Sequence, residues 1–120
     1  SEIYFNKAQL YAVIGNKIKS RNNARTSISF NSGNTGAYKL IGNLYMSSYD
    51  DCREGKSRVQ DRLVFIAAYN IFRSGGLNTQ ASQAREQFPS MEEIFNENLE
   101  VGESMNTGCW INETVTLNKR

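Results

Sequence analysis

Apolar residues in the first part of the chain recur at helical intervals. Ile3, Leu10, Val13, Ile14 and Ile18 follow one another at steps of seven, three, one and four, which gathers them on one face of an amphipathic α-helix. The pattern predicts a helix over residues 3–19 with that face turned to the core, fraying in the asparagine-bearing stretch 20–24. Residues 26–30 alternate polar and apolar, the period of a strand, with Ile28 and Phe30 inward. A loop of turn formers follows over 31–36. A second helix is predicted for residues 37–49, placing Ala37, Ile41, Leu44, Tyr45 and Ser48 on one side. The third, residues 57–73, is the most apolar element and the centre of the expected core, and Gly75 and Gly76 stop it. Asn78 or Thr79 caps a fourth helix to residue 87, which Phe88 and Pro89 interrupt. Ser90 and Glu93 then have the spacing of a capping box, opening a short fifth helix to about residue 98. Residues 109–117 carry Trp, Val and Thr in alternation and read as a second strand. Cys109, Ile111, Val115 and Leu117 share its inner face, and Glu113 on that face marks a bend or an edge.

These elements predict a predominantly helical α+β fold of about four to five helices. Residues 26–31 would pair with the C-terminal strand in a small two-stranded antiparallel ribbon. A chain of 120 residues accommodates one globular domain over 1–120. Its 39% hydrophobic and 11% aromatic residues suffice for a core, which argues against disorder. The longest apolar run, residues 63–72, is far short of the roughly 20 residues of a bilayer span, so no membrane span is expected. The chain opens at Ser1 and lacks the basic and apolar regions of a signal peptide, pointing to a removed leader or a shortened chain.

Two cysteines, Cys52 and Cys109, with no histidine and no CxxC spacing, leave too few soft ligands for zinc. An even pair in a short chain favours a disulfide over two buried thiols. Closing the loop between them would stabilise the fold by roughly 4 kcal/mol on the chain-entropy model. A disulfide places the protein in the periplasm or outside the cell. The triplet Asn112, Glu113, Thr114 matches a glycosylation sequon, more simply read as a chance match.

The absence of histidine removes the commonest general base, the usual partner of a Ser or Cys nucleophile and the commonest metal ligand. Neither cofactor nor metal is expected. The remaining catalytic candidate is Asp50 and Asp51 with Glu54, but Arg53, Lys56 and Arg58 are interleaved with them, the composition of a solvated helix end. The glycine-bearing loop before Lys39 lacks the spacing of a phosphate-binding loop, and Asp50 to Glu54 lack that of a calcium loop. Lys17, Lys19, Arg21 and Arg25 form a basic stripe with Tyr4 and Tyr11 nearby, which is read as cations at a helix C-terminus and not as a nucleic-acid surface.

Charge is divided between the halves. Residues 1–62 hold ten Lys or Arg against five Asp or Glu, and residues 63–120 hold four against seven, for a net charge of +2. The expectation is a small extracytoplasmic binding protein with a protein partner. An immunity or inhibitor protein that blocks a secreted or periplasmic toxin or hydrolase fits best. Its contacts would come from Asn31, Ser32, Asn34 and Thr35 in the polar loop and from Glu97, Glu100, Glu103 and Asn106 in the acidic segment, the latter set against a basic cleft. An accessory or structural subunit of a bacterial envelope assembly is the alternative, and it requires an exposed apolar patch or sheet edge. A histidine-free carboxylate enzyme built on Asp50 and Asp51 is the second, and it requires a pocket converging on those acids.

Overall fold

Gly15 decides the course of the N-terminal region. In the computed structural model, which describes residues 2–120, its φ of +85° reverses the chain, a conformation glycine adopts without steric cost. The single helix expected over 3–19 is therefore two, α1 (Glu2–Val13) and α2 (Lys17–Phe30). Asn16 caps the second, its side chain accepting from Lys19 N–H at 3.1 Å.

Helix α2 also absorbs residues 26–30, so no strand forms there. Its buried positions are Ser20, Arg21, Ala24 and Ser27, a helical period carried by small and polar side chains that a search for large apolar residues passes over. Ala8 of α1 is fully buried and its carbonyl accepts from Ser20 Oγ at 2.7 Å. The two helices thus meet through small residues. The large apolar residues expected in the core point away from it instead: Ile3, Leu10, Val13, Ile14 and Ile18 are 50% to 84% exposed.

The 31–36 loop contracts to a tight turn. Asn34 accepts from Ala37 N–H and caps α3 (Thr35–Ser47), and a one-turn helix α4 (Tyr49–Cys52) follows. Helix α5 (Arg58–Ser74), capped by Ser57, buries Val59, Phe72 and the unbroken run from Leu63 to Ala68, as its composition required. Helix α6 (Asn78–Arg85) has Leu77 at its N-cap with no side-chain bond, in place of the Asn78 or Thr79 cap expected. The capping box of α7 (Met91–Asn96) forms as its spacing foretold: Ser90 N–H donates to Glu93 at 2.8 Å and Glu93 N–H to Ser90 Oγ at 3.0 Å. The described residues thus hold seven helices, against the four to five expected.

The antiparallel ribbon exists with a different partner. Strand β1 (Ser104–Asn106) pairs with β2 (Thr114–Thr116), Met105 opposite Val115. Residues 109–113, expected as strand, form a turn in which Cys109 and Asn112 take φ values of +57° and +48°. Pairing two nearby segments closes a short loop, which costs less chain entropy than reaching back to residue 26. The disulfide Cys52–Cys109 joins the end of α4 to this turn across 57 residues, with the Cα atoms 5.7 Å apart.

The core lies where α3, α5 and α6 meet and includes Ile41, Tyr45, Leu63, Phe72, Phe88, Ile94, Ile111 and Leu117. No helix among the described residues is long and apolar enough to cross a membrane. At the α3–α5 crossing, a Cβ on Gly42 would lie 2.2 Å from Phe72 Cε1. Gly42→Ala is therefore expected to destabilise the fold by at least about 2 kcal/mol, measured by denaturant unfolding, and retained wild-type stability would show that the crossing is looser than described.

Candidate functional site

Most of the basic stripe read from the sequence is turned to internal partners and does not lie at a helix C-terminus. Lys17 stands at the start of α2, where the helix dipole disfavours a cation, and is held by Asp51 and by Ser48 Oγ, each at 3.2 Å. Arg21, one turn on, is buried. Its guanidinium donates to the carbonyls of Ile111 at 2.6 Å and Trp110 at 3.3 Å and to the Tyr45 hydroxyl at 3.2 Å. It also lies 4.9 Å from the Trp110 ring centroid, within cation–π range. Its Nε is buried with no hydrogen-bond partner. Arg25, a further turn along, reaches Glu113 at 2.9 Å.

Glu113 completes this cluster. It accepts from the Tyr45 hydroxyl and lies 4.0 Å from Arg21. Burial, with the Glu113 carboxylate beside it, raises the Tyr45 pKa to about 12. Trp110 Nε1 donates to Ser48 Oγ at 2.9 Å and so joins the same group. Each side chain of this cluster has a structural partner, the Arg21 Nε alone being unsatisfied, and the cluster fixes the α1–α2 hairpin against the body.

What the hairpin then presents outward is an apolar stripe. Ile3, Leu10 and Ile14 stand eleven residues apart end to end, about three helical turns, and so share one side of the hairpin. Val13 and Ile18 flank the Gly15 turn. At the other end exposed Phe30 stacks on Tyr4, centroids 5.8 Å apart. Lys7 and Lys19 border the stripe, their ammonium groups 5.5 Å and 5.6 Å from the Tyr4 and Tyr11 ring centroids.

The residues expected to contact a partner lie elsewhere. Asn31 accepts from Gly33 N–H at 3.0 Å, Asn34 caps α3 and donates to Ser27 Oγ at 2.9 Å, and the Thr35 hydroxyl reaches Gly33 O; Ser32 is exposed. In the acidic segment, Glu97 accepts from the Ser57 hydroxyl and from Val59 N–H, capping α5. Glu103 accepts from Glu100 N–H, and Asn106 from Gly108 N–H at 2.7 Å, while the Glu100 side chain is exposed. The two groups are also far apart. The start of α3 faces the end of α5, where Tyr38 abuts Gly75, whereas Glu97 caps the beginning of α5. Seventeen residues of helix, roughly 25 Å, separate them.

Of the acids near α4, Asp51, Glu54 and Asp61 line one cavity of about 280 Å³, and each of the three is engaged within the chain. Asp51 pairs with Lys17 and Glu54 with Lys56. Asp61 uses both oxygens to accept from Glu54 and Gly55 N–H, at 2.9 Å and 3.0 Å. Glu93 is held below the usual carboxylate range by the N–H of Ser90 in the capping box. No cluster of three or more His, Cys, Asp or Glu that could hold a metal occurs among the described residues. The chain matches no family model, no curated protein and no solved structure.

Arg21→Met should destabilise the protein by about 3 kcal/mol or more, because it strands the buried carbonyls of Trp110 and Ile111 and removes one of the cations facing Glu113. Chemical denaturation checks this, and a loss below about 1 kcal/mol would remove Arg21 as the tether. The raised Tyr45 pKa gives a second expectation. Stability from a neutral hydroxyl is fully present below its unfolded value of 10.0 and is lost as pH rises through about 12. Wild-type stability should therefore fall over that window by on the order of 2 kcal/mol more than that of Tyr45→Phe. Parallel slopes for the two proteins would contradict it.

Proposed function

We propose that the protein is a binding subunit that joins another protein through the outward face of the α1–α2 hairpin. The carrying observation is the stripe of Ile3, Leu10, Val13, Ile14 and Ile18, each of which leaves half or more of its surface exposed. Contiguous apolar surface of this kind marks interaction sites, and each such side chain contributes about 1.5–3 kcal/mol when fully covered. The partner's chemistry follows from the border. With Arg21, Arg25 and Lys17 committed to internal partners, Lys7 and Lys19 remain beside the stripe, so a complementary surface is an apolar groove or helix face rimmed by carboxylates.

This favours the accessory-subunit role over the immunity or inhibitor role. An acidic plug would need outward carboxylates at 97–103, and Glu97 and Glu103 are spent on backbone amides of their own chain. An apolar patch is what a subunit shows its neighbour. The Cys52–Cys109 disulfide supports a periplasmic or extracellular setting for the complex.

The test uses wild type and the double variant Leu10→Asp/Ile14→Asp as parallel baits in the native source, with free thiols alkylated at lysis. Both positions are exposed, so the double variant should unfold within about 1 kcal/mol of wild type, about 0.5 kcal/mol for each substitution. Wild type should retain a protein at equal stoichiometry, cross-linked through an apolar surface bearing Asp or Glu, and the variant should lose it. Retention of the same protein by both baits would overturn the reading. So would a wild-type homodimer in sedimentation that the variant breaks, or binding to anionic vesicles in place of a protein. Alkylation of Cys52 and Cys109 without prior reduction would overturn the compartment.

A further inference from the structure

At the end of the molecule where α4 joins α5, a cavity of about 600 Å³ opens beside the Tyr49 ring and the side chain of Glu97. Four cations line it, Arg53, Lys56, Arg58 and Arg62, against two carboxylates, Asp61 and Glu97. Both carboxylates are turned toward the protein. Asp61 braces the Glu54–Gly55 backbone, and Glu97 caps α5. The first amides of α5 are thereby occupied as well. What the cavity has to offer a ligand is guanidinium and ammonium.

Arg53 and Arg62 are the central pair. Each guanidinium carbon lies 5.6 Å from the Tyr49 ring centroid, and Phe65 stacks on the same ring at 5.1 Å, leaving the two cations to share the rest of its surface. Arg53 forms no ion pair among the described residues. Arg62 is anchored by Nη1 to the Gln87 carbonyl at 2.8 Å, which fixes its direction and leaves its other N–H groups to the cavity. Lys56 pairs with Glu54 at 3.8 Å with both side chains exposed, a contact too weak to withhold it from a stronger anion, and the exposed Arg58 lies 3.5 Å from the mostly buried Glu93. Two guanidinium groups beside one ring and lining one cavity present planar forks that match the oxygens of a doubly charged oxyanion, whose charge offsets the positive excess of the lining.

We infer that this cavity binds a phosphate-class oxyanion, the phosphate of a small soluble phosphomonoester, between Arg53 and Arg62. The inference is independent of the hairpin reading, since no residue of the stripe lines the cavity.

NMR titration of the full chain with inorganic phosphate and with glycerol phosphate in low-salt buffer tests it, against chloride at matched ionic strength. Saturable shifts are expected at the Arg53 and Arg62 Nε–H groups and at the Gly55 amide. Arg53→Gln removes a side chain that no carboxylate holds, so the fold should persist and affinity should fall about tenfold, the scale of one charge-assisted contact. Lys39→Gln, an exposed cation outside the cavity, should change nothing. Shifts that never saturate, an equal response to chloride, or undiminished binding by Arg53→Gln would overturn the assignment. Co-sedimentation with phosphatidic acid vesicles, lost in Arg53→Gln and without saturation by either soluble phosphate, would transfer the site to a lipid headgroup and overturn the soluble ligand.

Discussion

A guanidinium withdrawn from water holds the two halves of the chain in register. Arg21 lies ninety residues from Ile111, whose carbonyl it engages at 2.6 Å. Taking such a charge out of solvent costs several kcal/mol, which only close hydrogen bonding and a facing carboxylate offset. The offset comes from three segments at once: the Tyr45 hydroxyl on α3, the carbonyls of the 110–111 turn, and Glu113 beyond it. The Cys52–Cys109 bond grips the same turn from α4. With Cys109 and Asn112 in left-handed conformations, that irregular turn is tied both by the disulfide and by Arg21.

Because Arg21 fixes α2, α1 needs little support of its own. It packs on α2 through Ala8, Ser20 and Ala24, side chains small enough for close approach, with Ser20 hydrogen-bonded to the Ala8 carbonyl. Phe5 and Ile28 pack against the core, while Ile3, Leu10, Val13, Ile14 and Ile18 stay in solvent. In a chain of this size, leaving these five together outside withholds apolar burial from the monomer, and covering them in a complex recovers it. The face of the hairpin that stabilises the fold is thus opposite the one proposed for association.

Carboxylates follow a similar economy. Asp61, Glu93, Glu97, Glu103 and Glu113 each accept hydrogen bonds from backbone amides or buried side chains. Part of the acidic character of the second half is therefore used for caps and turns, while Glu86, Glu92 and Glu100 stay exposed. The cations at 53–62 are left with fewer carboxylates than the linear charge count implies, and that imbalance gives the Tyr49 cavity its chemistry.

Features that depend on neighbours in sequence were legible from it. The apolar density of 57–73 requires a buried helix, the Ser90 and Glu93 spacing is a capping box whatever surrounds it, and two cysteines without histidine point to each other. What the sequence could not decide was direction. Ile3, Leu10 and Ile14 share a side in any helix, but whether that side meets the core depends on what α2 offers, and α2 offers a face of Ser and Ala. Likewise, the alternation at 26–30 fits a strand or a helix end equally well over five residues, and the helix is the form in which Ser27 is buried and hydrogen-bonded to Asn34. The partner of the C-terminal strand and the burial of Arg21 rest on contacts between distant segments, which leave no periodic trace. Sequence alone determined the helical character, the central helix and the disulfide, because these follow from local chemistry and composition. Only the tertiary structure decided which surfaces face water, because burial is a relation between segments and not a property of any one of them.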